Sequence, residues 1–574
     1  MAFLNSIFPT ENYERNELLG EGTFGSVRIL TSVNDKKDKV VAKYSRNYST
    51  NMLVNKSFVR EVASLAALHD SINIITMLSF DATVQTIYLK GGTIKTTSLF
   101  HYMANIPNRP KPLLILSIIL QITIGLSYMH CRGIWHRDIK SQNIIMCEKG
   151  IVQIIDLGSS TIVPIWGKGS NPIYTCWYTP PELLKRIPSE YTKGTITSYD
   201  GVRADIYAAG IILWELLTVS NISLTDTLRG NTYIEQLQCT YNVLTDGTND
   251  LEEHSCKSCE QTTKGTNDHT SVIESLRKTF YNHGEKNTTY SNGMFELLAG
   301  MLHPNPCQRY THADIINKIG EISPFVKRKM FDTKPISQRV ISYIRKESCM
   351  WHTYVEEEYL DEVLCTKPGW ISLSIYNTLT YNTLSQWINY IKITCTSVDL
   401  YPPGMTSMVH TVLQAYCRLI DTTTLTITTV LGCIILSDTI LRHHATCSHM
   451  GFFMHHYSDS VVEEVKKETN RILHVISGNL HKTTPFDILQ FSLDHDLYGT
   501  TTNEVFYILE LLENTGVGWF MSPDTIVRCV LIIYNESSIE NFYFRRHIPD
   551  DIYEDLMERL NMYIIRDSRL HFLL

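Results

Sequence analysis

The chain has 574 residues, 43% apolar and 19% charged, with a formal net charge of −8 and 14 cysteines. That length exceeds what one core holds and suggests about two to four domains. The composition excludes a long disordered tail, and the net negative charge argues against a protein that coats nucleic acid. The cysteines are scattered, without framework spacing and without a secretory leader ahead of them, so they read as free thiols in a reducing compartment.

Residues 13–89 alternate short β-rich runs with one helical stretch, the pattern of a small sheet lobe. Leu19-Gly20-Glu21-Gly22-Thr23-Phe24-Gly25-Ser26-Val27 places a glycine-rich turn between two β-prone runs. Glycines there let backbone amides approach phosphate oxygens, and Val27 can pack on a base, although a lone G-x-G-x-x-G also suits an ordinary hairpin. Lys43 follows on the next strand behind Val40-Val41-Ala42, which points it into a cleft rather than to a solvated edge. Glu61 lies in Phe58-Val59-Arg60-Glu61-Val62-Ala63-Ser64-Leu65, whose apolar positions recur at helical spacing. A carboxylate facing inward from that helix can hold Lys43 on the phosphates of a nucleotide.

Two apolar runs, 113–129 and 425–441, are slightly short for a membrane span and contain Gln121 and Asp438, so both are expected as buried helices. The first leads into Ile134-Trp135-His136-Arg137-Asp138-Ile139-Lys140-Ser141-Gln142-Asn143, followed by Ile155-Asp156-Leu157-Gly158. These stretches bring carboxylates, a lysine and an amide to the spacing that suits moving the γ-phosphate of ATP to a hydroxyl. Residues 113–325 are mostly helical in pattern, interrupted by a polar insert over 219–290, and helical periodicity resumes from Met405 to about Tyr534.

Taken together, these motifs resemble the eukaryotic protein kinase family over residues 13–325. The resemblance implies that Asp138 is the catalytic-loop base, that Lys140 marks a Ser/Thr-directed enzyme and neutralises γ-phosphate charge, and that Arg137 can clamp a phosphorylated activation segment. It implies ATP held by Leu19, Gly20, Gly22, Gly25, Val27, Lys43 and Glu61, with Mg2+ on Asn143 and Asp156. Asp156-Leu157-Gly158 departs from the usual Asp-Phe-Gly at its middle residue, and leucine keeps that position apolar. Pro180-Pro181-Glu182, Asp205-Ile206-Tyr207-Ala208-Ala209-Gly210 and Arg309 extend the match, with Arg309 expected to pair with Glu182.

Thr175-Cys176-Trp177-Tyr178 and Arg60-Glu61 resemble the cyclin-dependent kinases, but Thr179 stands where those enzymes carry an arginine linked to proline-directed specificity. Ser170 falls about where relatives carry an activating phosphate. A phosphoryl group there would order the segment against Arg137 and Arg60, and an ordinary loop serine is the alternative. Within the insert, Cys239, His254, Cys256, Cys259 and His269 include one His-x-Cys-x-x-Cys; free surface residues are the expectation over a zinc site.

Beyond a linker and docking segment over 326–400, residues 401–574 are expected to form an all-α domain that resembles a cyclin box. The match rests on Thr424-Leu425 before an apolar helix and on residues 472–480 followed by Thr484-Pro485, where threonine can cap and proline suits the first helical position. Tyr507 to Leu512 and Ser522-Pro523 follow in order. Gly432 replaces an aspartate of the cyclin box, the cyclin lysine expected near His455-His456-Tyr457 is absent, and Glu468 stands near the place of its partner glutamate. The fold expected is therefore α+β, a bilobal protein kinase followed by a cyclin-box-like helical domain.

The function expected is ATP-dependent phosphorylation of protein Ser/Thr hydroxyls, activated in cis by the cyclin-like domain. A tether of about seventy residues would raise the effective concentration of such a domain to the millimolar range. The alternatives are a self-sufficient kinase with a recruiting helical domain and a pseudokinase scaffold. Protein substrates and the chain's own helical domain are the expected partners, with neither nucleic acid nor membrane, in a soluble intracellular setting (cytoplasm or nucleus). The richness in Ile, Tyr, Asn and Thr hints at a large DNA virus.

Overall fold

The computed structural model describes residues 12–22, 25–35, 39–45, 55–90, 96–106, 110–147, 150–162, 178–184, 199–218, 289–333, 404–417, 419–420, 426–441, 458–480, 484–494 and isolated positions between 505 and 530. Ser170, Thr175-Cys176-Trp177, the loop from Cys239 to His269, most of the linker, Thr424-Leu425 and His455-His456-Tyr457 lie outside the described residues.

The first part is a twisted antiparallel sheet, β1 (Tyr13–Gly22), β2 (Gly25–Ser32), β3 (Lys39–Ser45), β4 (Met77–Asp81) and β5 (Thr86–Lys90), in the order β1-β2-β3-β5-β4. Its register decides which side chains share the cleft face. Gly20 lies opposite Val27, Val27 opposite Lys43, and Lys43 opposite Ile87, so one cross-strand row carries the glycine turn, Val27 and the lysine. Gly25 has φ +153°, and a Cβ there would stand 1.9 Å from the Tyr44 carbonyl oxygen, so only glycine lets the turn lie this close to β3. Helix α1 (Lys56–Ala67) crosses behind the sheet, its start capped by Asn55 accepting from the Ser57 and Phe58 amides.

The second part begins with β6 (Thr97–Ser98) and α2 (Leu99–Asn105), then α3 (Pro112–His130), β7 (Ile134–Trp135), β8 (Ile144–Met146), β9 (Val152–Ile154) and β10 (Thr161–Ile162). The strands pair as β6-β8-β9 and β10-β7. Helices α4 (Pro181–Leu184), α5 (Gly201–Thr218), α6 (Thr289–Met301), α7 (His312–Ile322) and α8 (Pro324–Thr333) complete it. Among the described residues α3 alone is long and apolar enough to cross a bilayer, but it is packed against α5, α7, α8, β7 and β9 inside the protein. Helix α6 starts at Thr289, inside the stretch assigned to the polar insert, and α8 runs across the position where the linker was expected to begin.

A third group comprises α9 (Met405–Cys417), α10 (Ile427–Leu441), α11 (Asp459–Val475) and α12 (Pro485–Asp494). Pro485 occupies the first helical position, and Thr484 and Asp487 exchange a capping box: the Thr484 amide donates to Asp487 Oδ2 at 2.9 Å and the Asp487 amide to Thr484 Oγ1 at 3.2 Å. Gly432 lets α10 settle on α11, because a Cβ there would meet Ile472 Cδ1 at 2.8 Å and Thr469 Oγ1 at 3.2 Å. Its place is taken by tight packing, which leaves no room for an aspartate.

These helices are not separate from the first part. α10 packs on α1 and on β10, and one continuous buried apolar cluster runs from Phe58, Val62 and Phe80 through α9, α10 and α11. Gly432→Val is expected to destabilise the protein by ~1–3 kcal/mol through overpacking, measured by chemical denaturation, with the C-terminal helices losing hydrogen-exchange protection first.

Candidate active site

Lys43 stands at the back of the cleft between the two lobes. Its Nζ donates to Glu61 Oε1 at 2.7 Å and Oε2 at 2.6 Å, and to Asp156 Oδ1 at 2.7 Å. Burial opposes the charge on Lys43, but the two carboxylates outweigh it and hold the ammonium above its ordinary value. Burial also pushes Glu61 up, with the Lys43 charge pulling against it, whereas at Asp156 the same ammonium overcomes burial and keeps the carboxyl below the usual range. Asp156 adopts a left-handed backbone, φ 64°, which turns its side chain into the cleft at the start of Leu157-Gly158-Ser159. Leu157 is fully buried, consistent with an apolar requirement that leucine meets as phenylalanine would.

The loop between β7 and β8 is hung from one buried carboxylate. Asp205 Oδ2 accepts the His136 amide at 2.8 Å and Oδ1 the Arg137 amide at 2.9 Å, while His130 Nε2 lies 3.0 Å from Oδ2. Burial would raise Asp205, but these donors and the neighbouring histidines hold it below its ordinary value. Arg137 is left-handed at φ 66°, a strained position for a non-glycine residue that the two amide bonds stabilise. With the loop so fixed, Asp138 Oδ2 accepts from Lys140 Nζ at 2.7 Å and from Asn143 Nδ2 at 3.1 Å. Asn143 Nδ2 also reaches the Asp138 carbonyl at 2.9 Å. Its amide nitrogen is thus committed to Asp138, which orients the amide oxygen as the acceptor face.

The structure therefore brings Lys43, Glu61, Asp138, Lys140, Asn143 and Asp156 together, with Gly20, Gly25 and Val27 on the sheet above. Leu19 is half exposed at the cleft mouth. The donor set of Asn143 and Asp156, hard oxygens without thiolate or imidazole, suits a divalent cation such as Mg2+ that completes its shell with water and phosphate. Among the described residues no group of three His, Cys, Asp or Glu side chains forms a denser metal site.

Beside Asp138 lies a small cavity lined by Arg137, Tyr178, Thr179, Pro180, Tyr199 and Asp205. Its wall is braced from behind: Tyr178 donates to Glu215 Oε1 at 2.6 Å, and Arg309 forms a bidentate pair with Glu182 at 2.8 and 3.0 Å. Tyr199, Glu215, Ser57 and Ser160 belong to none of the sequence motifs. Ser57 Oγ donates to the Gly158 carbonyl at 3.1 Å, and Ser64 Oγ lies 2.7 Å from Ser160 Oγ, tying α1 to the segment after Asp156. No sequence signal separates these serines from solvated ones.

The far side of α1 faces the C-terminal helices. Arg60 Nε donates to the Thr439 carbonyl of α10 at 3.2 Å. At the end of α11, the His474 ring stacks on Phe80 at 4.7 Å between centroids with a 9° interplanar angle, and its Nε2 accepts the Ala82 amide at 3.0 Å. The chain then turns through Ser477 and Gly478, both left-handed, and Gly478 lies so close to Val62 that a Cβ would be 2.5 Å from Val62 Cγ1. Glu468, which stands near the place of the cyclin partner glutamate, accepts from Tyr416 at 2.9 Å and Thr429 at 3.0 Å inside the C-terminal group. The grip on α1 comes from other residues.

A protein kinase domain model matches residues 13–319, more than half of the chain, and the chain belongs to that family. It is similar to calcium-dependent protein kinase 4 of Plasmodium falciparum, 30% identical over 218 residues, which are 37% of this chain and 38% of the relative. It is also similar to CBL-interacting protein kinase 15 of rice, 25% identical over 210 residues (36% of this chain, 46% of the relative). A third relative is the CBL-interacting serine/threonine-protein kinase 2 of Arabidopsis thaliana, 26% identical over 211 residues (36% and 43%). The chain thus spans less than half the length of these curated relatives.

Lys43→Met is expected to leave buried Glu61 and half-buried Asp156 without their cation. The cost should be ~3–5 kcal/mol of unfolding free energy, measured by denaturant titration at pH 7, and should shrink at acid pH as the carboxylates take up protons.

Proposed function

We propose that this protein is a serine/threonine kinase that transfers the γ-phosphate of ATP to hydroxyls of protein substrates, and that its C-terminal helices form a cyclin-like activator acting in cis. The observation that carries the reading is the closed Lys43–Glu61 pair on a helix whose opposite side is held by α10 and by the turn after α11.

In this mechanism Lys43, kept charged and oriented by Glu61, binds the α- and β-phosphates. Asp138 accepts the hydroxyl proton of the substrate as the hydroxyl attacks. Lys140, 2.7 Å from that carboxylate, lies where it can also neutralise charge on the transferring phosphoryl group. Bound Mg2+ would neutralise phosphate charge, with Asn143 and Asp156 as its protein ligands. Thr179 in the wall beside Asp138 is small and uncharged, which favours a substrate whose residue after the target is not restricted to proline.

Cyclin-like activation is supported by where the helices meet the kinase. The stretch from Ile472 to Leu480, the best sequence match to a cyclin junction, is the one that contacts β4 and α1. Without that contact α1 would lose its cover at Val62, and its position would rest on α10, on the Lys43–Glu61 pair and on the bonds of Ser57 and Ser64.

Phosphotransfer to a peptide library by full-length protein tests the first part, with Asp138→Asn as the inactive blank. Deleting residues 400–574 is expected to lower kcat/KM by at least ~100-fold, roughly 2.7 kcal/mol of transition-state stabilisation, and the fragment supplied in trans should restore part of it. Gly478→Val, which disrupts the contact with Val62 without truncation, should lower activity in the same direction. Full activity of residues 1–333 alone would remove the in-cis activator.

The docking contact should also be pH-sensitive. Burial holds His474 below its ordinary value of 6.5, while Asp81 nearby pulls the other way, and only the neutral ring can accept the Ala82 amide. The undocked ring therefore binds protons first as pH falls. The contribution is complete above about pH 6.5 and is lost as pH falls through the depressed folded value. His474→Phe keeps the stack on Phe80 but cannot titrate. It is expected to show a smaller loss of thermal midpoint between pH 7.5 and 5.5 than the wild type, read by scanning calorimetry.

A further inference from the structure

Arg60 and Arg137 are both buried, 9% and 6% exposed respectively, and near enough for the charge of Arg137 to act on Arg60. Arg137 extends from the catalytic loop, its Nε donating to the Ser159 carbonyl at 2.8 Å and its Nη2 to the Ser160 carbonyl at 3.3 Å. Arg60 extends from α1, one turn before Ser64, which is itself hydrogen-bonded to Ser160. From the other side comes α10, packed on both α1 and β10, with its Thr439 carbonyl on Arg60 and Asp438, 1% exposed, beside it.

Two guanidiniums in one desolvated site repel each other and need an anion. Burial and the charge of Arg137 together pull Arg60 down to about 10, and the Asp438 carboxylate opposes both. Arg137 has Tyr199, Asp205 and the backbone carbonyls on its own side.

We propose that Asp438 is a positioning residue for phosphotransfer: it is the anion that the Arg60–Arg137 site requires, supplied by the C-terminal helices, so that the site is assembled without a phosphoryl group on the segment between Ser159 and Tyr178. The inference rests on the kinase reading and on in-cis activation. Its chemical content is that one carboxylate, carried on the helix that also supplies the Thr439 carbonyl, does the charge neutralisation a phosphoserine would otherwise do. Loss of that carboxylate drives Arg60 outward, and Glu61, the next residue on α1, leaves Lys43 with it.

The test uses full-length protein treated with a broad-specificity phosphatase and checked by mass spectrometry for complete dephosphorylation. Wild type and Ser170→Ala are expected to keep kcat within about twofold of the untreated protein. Asp438→Asn is expected to lose at least tenfold in kcat, with Asp438→Glu restoring most of it. The double variant Arg60→Met/Asp438→Asn should lose no more than the worse single variant, because the charges are removed together. A purely structural role would give additive losses and a thermal midpoint that falls in step with kcat.

Loss of wild-type activity on dephosphorylation overturns the inference, as does full activity of Asp438→Asn. Should Asp438→Asn fail to fold, the double variant decides: folding restored by removing both charges supports the pairing, and equal instability of single and double variants refutes it. An untreated wild type with no phosphotransfer at all would instead count against the kinase reading, and an active 1–333 fragment against in-cis activation.

Discussion

The position of α1 is the constraint on which the rest depends. Eight consecutive residues, Phe58 to Leu65, are buried, and a helix covered on one face by a sheet would bury only a stripe. Burial all round requires a partner on each side, and three of the eight are polar. Each polar residue therefore needs its own answer: Glu61 finds Lys43, Ser64 finds Ser160, and Arg60 finds the carbonyl of Thr439. Glu61 and Arg60 are adjacent in sequence, and their side chains diverge by about 100° around the helix, one to Lys43 and the other to α10. A displacement of either side is thereby felt at the other.

The lower lobe is organised on a different plan. There a single carboxylate, Asp205, holds two successive backbone amides of the catalytic loop and is in turn held by His130, which contacts His312. Every member of this chain is buried, so none can turn to water as an alternative partner. The loop carrying Asp138, Lys140 and Asn143 is therefore preorganised by interactions that do not involve α1. The Asp138 loop is fixed in one lobe and Lys43 stands in the other, and only the second depends on what covers α1.

Much of the site was legible in the sequence because its determinants are local. Asp138, Lys140 and Asn143 lie within six residues of one another, and the glycine turn, Lys43 and Glu61 follow at separations set by hairpin and helix lengths. The capping residue Thr484 with Pro485 was legible for the same reason. What was hidden is non-local or lies in the backbone. Arg60 is answered by a carbonyl 379 residues away, and a carbonyl has no residue identity to read. His474 stood within a recognised stretch, but nothing in its neighbours reveals a ring stacked on Phe80. Glu468 shows the opposite failure: a position inferred from order along the chain was claimed locally by Tyr416 and Thr429. Gly432 looked like a lost functional aspartate, and its reason is steric, the closeness of Ile472 and Thr469.

The turn at Ser477 and Gly478 presses on Val62 from within the same polypeptide. A contact of that kind has no concentration in its equilibrium constant, so dilution leaves its occupancy unchanged and a rise in abundance cannot increase it. Kinase lobe and docking helices are also made and destroyed together, one of each per molecule. Control can reach the contact through its local chemistry: the protonation of a ring, the fit of a glycine, or a ligand that competes for the surface of α1.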